Sequence, residues 1–286
     1  MSIDNLSADY KSDVFYGVSK SVHTLSKEKI VPLLSNLMRL AELSTQKKLT
    51  DKEKAFIGLY FRVHGWLESV ALMNTSACFQ GVAVAGRAIF ELVLDLEMLE
   101  NDPTGENLKK FSAFPDMDRA DAAEKCLKFF RDNKQTPQLF REEHLLGAIV
   151  YNKPQVDSNR VALWDEPKHG AVKHWSGNND IRQRAKSIKQ EYENLYVEFY
   201  PLLCWAVHPG ATLYGGKNEE SLKGYFQVSH GFVIRLSAKA IRLVSRVFPL
   251  AEVIQNLNIY LNDLKDKPYE IMVKESEKIE RNQASQ

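Results

Sequence analysis

From Ala77 to Leu99 the sequence leaves almost no polar face. Val82, Val84, Ala85, Ala88, Ile89, Phe90, Leu92, Val93, Leu94, Leu96 and Leu99 spread around the whole helical circumference. A helix that is apolar on all sides has to be enclosed by other helices. This stretch therefore asks for an all-α, multi-helix bundle built around a central helix at about 77–99. It stops at Asn101-Asp102-Pro103-Thr104-Gly105, which is turn chemistry.

The flanking segments supply that enclosure. Over residues 27–46, Ile30, Leu33, Leu34, Leu37 and Ala41 recur at helical steps. Thr50 and Glu53 form a Thr-x-x-Glu capping box that opens a helix to about Met73, with Phe56, Tyr60, Val63, Leu67 and Val70 on one side. Short helices are expected at 105–113, 117–133 and 137–149, separated by Pro115 and Pro137, before an irregular stretch over 151–179. From Asp180, a helical face of Ile181, Ile188, Tyr192, Leu195, Tyr196 and Phe199 runs to Pro201. After Pro209-Gly210 and Gly215-Gly216 comes a long helix over about 229–264, kinked at Pro249 where a backbone donor is lost. No segment alternates as a strand would, and no internal repeat is present. The expected organisation is one domain over 1–286. Its core is 27–100 and 180–264, an insertion over 101–178 partly covers it, and a charged tail follows over 265–286.

With 44% hydrophobic residues, 14 Gly and 10 Pro among 286, the chain is neither disordered nor collagenous. Residues 1–13 are polar and acidic, without the apolar run of a secretory signal. The charge-free stretch Ser69 to Gly86 is interrupted by Asn74, Thr75, Ser76, Gln80 and Gly81 and does not read as a membrane span. Cys78, Cys126 and Cys204 lack the spacing of a disulfide framework. These features predict a soluble, cytoplasmic protein with reduced thiols and no membrane contact. The near balance of 38 basic and 37 acidic residues conceals a surplus in one segment: residues 151–250 carry 14 basic and 9 acidic side chains, a balance of +5. That surplus permits a polyanionic partner without requiring one.

Arg87, Glu91 and Asp95 follow one another at four-residue steps on the central helix and so share a face. Burying unpaired charges costs several kcal/mol, on the order usual for ions, so they must meet partners. Arg before Glu is the weaker order for an exposed helical bridge, so helix propensity does not account for the pair. A structural ion pair and a functional pocket stand as equal readings.

Tyr196, Tyr200, Cys204 and His208 also stand four apart. Pro201 either kinks this helix or begins a new one, which leaves only Cys204 and His208 safely on one face. At a helix C-terminus the macrodipole favours imidazolium, suiting His208 to bind an anion or donate a proton. A histidine capping a last-turn carbonyl satisfies the same pattern. In His169 to Gly177, Trp175 beside Ser176-Gly177 is either a stacking platform over a cleft or a plug in the core beneath a long loop. His169, His174, Cys204 and His208 could supply zinc ligands, but no Cys-x-x-Cys pair accompanies them, and neither metal nor cofactor is expected. Arg235, Lys239, Arg242 and Arg246 fall on one narrow strip beside the apolar face of Phe232, Leu236, Leu243 and Val247. With Arg182, Arg184, Lys186 and Lys189 that strip could track phosphates, or it is a solvated face. No Gly-rich phosphate loop, RNA-recognition motif or zinc finger is present.

Taken together, Arg-Ala-Ile-Phe-Glu at 87–91, Trp175-Ser-Gly177 and Tyr196-x-x-x-Tyr200-x-x-x-Cys204-x-x-x-His208-Pro resemble an uncharacterised bacterial all-helical family, over about residues 60–245. That family is similar in turn to the HEPN (higher eukaryotes and prokaryotes nucleotide-binding) helical proteins. The resemblance implies metal-independent ribonuclease or nucleotide chemistry in a toxin or phage-defence setting. It also implies RNA or a nucleotide as ligand, a homodimer, and an antitoxin or regulatory protein as partner. Cys204 stands where the family usually has Ser. The HEPN signature, Arg followed after four to six residues by His, is absent: Arg62 and His64, like Arg141 and His144, are too close together.

The leading expectation is a site where Arg87 and Glu91 meet Tyr200 and His208. Arg87 stabilises a phosphate or a developing oxyanion, Glu91 orients Arg87 or His208, and His208 is the general acid or base. Tyr200, Cys204, Trp175, Arg235, Lys239, Arg242 and Arg246 are the candidate binding residues. The alternative is a non-catalytic helical binding or regulatory protein in which the cluster is a structural network.

Overall fold

The computed structural model describes residues 14–44, 48–135, 142–150, 153–166, 172–177, 179–207 and 219–262. Among these residues the chain is an all-α bundle without a strand. In chain order the helices are α1 (Val14–Leu25), α2 (Val31–Leu43), α3 (Asp51–Leu72), α4 (Phe79–Glu100), α5 (Glu106–Asp132), α6 (Glu142–Val150), α7 (Lys153–Trp164), α8 (Ile181–Ile188), α9 (Gln190–Val207), α10 (Glu219–Val247) and α11 (Ala251–Asn262). A π-turn, Ser26–Ile30, joins α1 to α2, and a 3-10 turn, Ser76–Cys78, precedes α4. The chain groups into two compact units, Met1–Leu96 with Asn194–Gln286, and Glu97–Glu193.

In the first unit the capping box is complete. Thr50 N–H donates to Glu53 Oε2 at 2.7 Å and Glu53 N–H to Thr50 Oγ1 at 3.2 Å, which starts α3 cleanly. The central helix is enclosed as its composition requires: Val82, Ala83, Ala85, Ile89, Phe90, Val93, Leu94 and Leu96 are all buried. Each large side chain so removed from water is worth about 1.5–3 kcal/mol. By length and composition Ser76–Glu100 is apolar enough to cross a bilayer. Part of its apolar surface is buried against neighbouring helices. Phe90 meets Phe232 of α10 at 6.0 Å and Tyr200 of α9 at 5.7 Å between ring centroids. Gly86 makes that approach close, since a Cβ there would lie 3.3 Å from Phe232 Cδ1, 3.5 Å from Val233 Cγ2 and 3.6 Å from Leu203 Cδ1. α1 packs against α3, α10 and α11 through the buried Phe15, Val18, Val22 and Leu25.

The second unit is built on a smaller core of Met117, Ala120, Val156 and Val172, with Phe114 and Trp164 against it. Here the structure departs from the sequence expectations. Pro115 does not divide two helices: α5 runs unbroken through it. One lost backbone bond is outweighed by the burial of Met117, Ala120, Ala123 and Leu127 on the same helix. The stretch expected to be irregular contains α7, with Pro154 in its first turn, where a missing donor costs nothing. α7 is fixed by Arg160, 1% exposed, whose Nη1 and Nη2 donate to Asp121 Oδ2 at 3.1 Å and Oδ1 at 2.7 Å. Conversely, the single helix expected from Asp180 is two. An Asp180–Gln183 capping box opens α8, Lys189 is extended at φ −161° and ψ 150°, and α9 restarts at Gln190.

Pro201 likewise lies inside α9 without ending it. α10 begins at Glu219, ahead of the expected 229, and Pro249 separates α10 from α11 instead of kinking one helix. The residue before a proline is disfavoured in the α region, and Phe248 accordingly leaves the helix.

Candidate functional site

Three side chains from two helices of the first unit converge. Arg87 and Glu91, one turn apart on α4, meet through Nε and Oε1 at 3.4 Å, each side chain 35% exposed. Tyr200 from α9 donates its hydroxyl proton to the same Glu91 Oε1 at 3.0 Å. The Arg87 guanidinium carbon stands 5.3 Å from the Tyr200 ring centroid, a cation–π contact. Beneath them Phe90 packs on Tyr200, and Tyr196, one turn earlier on α9, stacks on Tyr200 at 4.9 Å and 21°. Because α9 is continuous through Pro201, Tyr196, Tyr200 and Cys204 form the stripe that their spacing suggested.

The electrostatics follow from half-burial and these neighbours. Burial works against the Arg87 charge, but Tyr200, Cys204 and Glu91 together outweigh it, so the guanidinium holds its proton more tightly than usual. Burial, then Glu91, pushes the Tyr200 hydroxyl above the ordinary phenol range. Burial also raises the Cys204 thiol, with Arg87 opposing and Glu91 adding to the rise. Tyr200 and Cys204 are therefore protonated near neutral pH, and neither is an activated nucleophile. Glu91 accepts the Arg87 Nε proton, and the Tyr200 hydroxyl oxygen is a second partner of the guanidinium. The Arg87 side chain remains 35% exposed, so a guanidinium, a group that grips a phosphate or carboxylate, stays within reach of solvent.

The remaining candidates fall elsewhere. His208, directly after the last residue of α9, lies outside the described residues, as do His169 and the loop glycines Gly210, Gly215 and Gly216. Asp95, a further turn along α4, is buried. Trp175 belongs to the second unit, 3% exposed, its ring edge-on to Phe111 at 5.6 Å and its carbonyl accepting from Trp164 Nε1 at 2.8 Å. Such a ring plugs a core; it has little surface on which a ligand could stack.

The strip on α10 is outward-facing, with Arg235, Arg242 and Arg246 exposed, Lys239 half-buried, and Arg242 bonded to Asn258 of α11 at 3.0 Å. In the second basic cluster Arg182, Lys186 and Lys189 are exposed and only Arg184 is buried. Arg184 is buried with Nη1 2.7 Å from His174 Nε2, and Arg182 bridges to Glu193 at 3.3 Å. Arginine can only donate, so His174 Nε2 accepts from Arg184, while His174 Nδ1 accepts from Ser176 N–H at 3.1 Å and lies 2.8 Å from Ser176 Oγ. Among the described residues no three His, Cys, Asp or Glu side chains gather as metal ligands. Sequence reasoning missed the Tyr196–Tyr200 stack as a support for Arg87. The four-residue spacing was its signal, and Pro201 hid it.

Residues 53–222 match the family model described as a family of unknown function (DUF5677), more than half of the chain, and the chain belongs to that family. The matched span contains Arg87, Glu91, Tyr200, Cys204 and His208 and ends before the α10 strip. No curated protein and no solved structure matches the chain.

Proposed function

As the reading of this member of a family of unknown function, we propose a HEPN-like helical protein whose Arg87–Glu91–Tyr200 cluster binds a phosphate of RNA or of a nucleotide. One observation carries it: an arginine side chain 35% exposed is held by Glu91 and Tyr200 at the surface, not enclosed in the core. A purely structural arginine is enclosed with its carboxylate, as Arg160, 1% exposed, is with Asp121.

Catalysis depends on His208, because the described part of the site offers no nucleophile. In the proposed metal-independent reaction the RNA supplies its own. The His208 imidazole takes the proton of a ribose 2′-hydroxyl, O2′ bonds to phosphorus, and the bond to the 5′-oxygen breaks. A 2′,3′-cyclic phosphate forms, and the departing 5′-oxygen takes a proton from the imidazolium or from water. Arg87 carries the negative charge that grows on the non-bridging oxygens. A chain of this kind fits a toxin or phage-defence role, with an inhibitory partner and a second copy as companions.

The decisive experiment incubates a 5′-labelled oligoribonucleotide with the protein in EDTA and repeats it with Arg87→Gln and His208→Ala. Cleavage by the unmodified chain, lost in both variants while helical circular dichroism is retained, supports the reading. Binding without cleavage, weakened by Arg87→Gln alone, points to the non-catalytic binding protein, which the protonated Tyr200 and Cys204 favour. Neither cleavage nor Arg87-dependent binding discards the site.

A further inference from the structure

The seam between α1 and the helices it packs against, α3 and α10, holds three of the seven histidines. His23 of α1 and His64 of α3 stack face to face at 5.7 Å and 11°. His64 Nδ1 lies 3.0 Å from the Ser26 hydroxyl in the π-turn, and Ser26 Oγ lies 2.7 Å from the buried Tyr60 hydroxyl. His23 Nε2 is buried and makes no hydrogen bond among the described residues. Further along the seam, His230 of α10 is fully buried, its ring 4.3 Å from Phe226 and 5.8 Å, edge-on, from Tyr16 of α1. The Met73 carbonyl is near the His230 ring, but neither His230 nitrogen makes a hydrogen bond of good geometry among the described residues. Tyr16 ties α1 to the end of α3 by donating to the Ala71 carbonyl at 3.1 Å.

This arrangement accommodates neutral imidazoles and penalises charged ones. Two protonated rings at 5.7 Å would repel each other, with Lys27 of the π-turn adding to the repulsion and Glu68 of α3 alone opposing it. The Lys29–Glu252 bridge from the same turn to α11 is exposed at 3.5 Å and too screened to compensate. At His230 only the Met73 carbonyl favours a proton, against complete burial. We propose that the His23–His64 pair, with His230 behind it, makes the α1 seam an acid-sensitive latch that holds α1 down at neutral pH and releases it on acidification.

The direction of the effect follows from linkage. Burial lowers His23, lowers His64 with His23 adding, and lowers His230 to about 4. The unfolded or released segment therefore binds more protons, so the stabilisation is present above an ordinary imidazole pKa of about 6.5 and is lost as the pH falls below it. Phe15 of α1 also rests on Gly231, where a Cβ would meet Phe15 Cε1 at 3.3 Å, so release of α1 uncovers α10 next to Phe232.

The test is hydrogen–deuterium exchange of the full chain at pH 7.5 and 5.0, corrected for the intrinsic rate. Amides of 14–25 should exchange at least about tenfold faster at pH 5.0, while α4 amides do not. The double variant His23→Gln, His64→Gln should lose most of that difference. If this variant fails to fold, imidazole proton resonances of the unmodified chain decide, with His23 and His64 midpoints expected below about 6.5. Equal α1 protection at both pH values, an undiminished difference in the double variant, or midpoints at or above that value would overturn the latch.

Discussion

Tyr200 donates its hydroxyl proton to Glu91 Oε1 at 3.0 Å, so the carboxylate that holds the Arg87 Nε is itself held from α9. Glu91 is thereby a positioning residue between a donor on another helix and a guanidinium on its own. Arg87 points where it does only while both contacts persist.

Removing each member of this relay has a different signature. Arg87→Gln should weaken binding of a short oligoribonucleotide about 10- to 100-fold, the value of a charge-assisted bond. Glu91→Gln removes the competing negative charge, so it should preserve or tighten binding while lowering any turnover. Tyr200→Phe should cost about 0.5–1.5 kcal/mol of stability and leave affinity within a few-fold. Fluorescence anisotropy titrations alongside urea melts measure all three; an Arg87→Gln variant that melts earlier yet binds normally would make the cluster a structural network.

Cys204 reports on the same electrostatics. Burial raises its thiol, Arg87 opposes and Glu91 adds. Iodoacetamide should therefore label Cys204 at pH 8 more slowly than a small free thiol, faster in Glu91→Gln and slower still in Arg87→Gln. Mass spectrometry of the Cys204 peptide resolves it from Cys78 and Cys126. Equal rates in all three proteins would mean that the thiol does not sense the pair.

The second unit should depend heavily on one ion pair. Asp121→Ala leaves the Arg160 guanidinium, 1% exposed, without its carboxylate. Breaking a buried pair on one side costs about 3–5 kcal/mol. A urea or thermal melt should show that loss, and a change below about 1 kcal/mol would place the pair in a wetter setting than its burial indicates.

Gly86 is the close-approach point of α4. An Ala Cβ there must displace the Phe232 ring by a few tenths of an ångström from 3.3 Å, while gaining the helix propensity that glycine lacks, about 1 kcal/mol. Gly86→Ala should thus be nearly neutral in a melt, whereas Gly86→Val should lose about 1–3 kcal/mol by overpacking.

The bundle was legible because burial leaves a mark in composition: α3 and α10 carry long periodic apolar stripes, and α4 is apolar on all sides. The central helix, the Thr50–Glu53 box and the four-residue register linking Arg87 to Glu91 could all be seen in one dimension. Proline was overread as punctuation: at Pro115 and Pro201 tertiary packing outweighs one missing amide bond, whereas at Pro249 the helix does stop. α7 was missed because its buried face has a single apolar residue, Val156, beside a charged one, Arg160, whose partner Asp121 is remote in sequence. The convergence of Tyr200 on Glu91 was anticipated as a residue pair but not as a stacked column with Tyr196, since ring geometry is set by α9 lying against α4. The histidine seam was invisible for the same reason: His23, His64 and His230 share no spacing, only a place.

The π-turn at Ser26–Ile30, closed by Val31 N–H on the Ser26 carbonyl, inserts one residue beyond what a regular helix would use. Everything C-terminal to it is thereby rotated by about 100°, the angular step of a single α-helical residue. Losing one residue between 26 and 30 would smooth α1 and α2 into an uninterrupted rod. It would also swing Leu34, fully enclosed now, round toward water, so the length of this turn, more than its composition, decides which side of α2 the protein keeps dry.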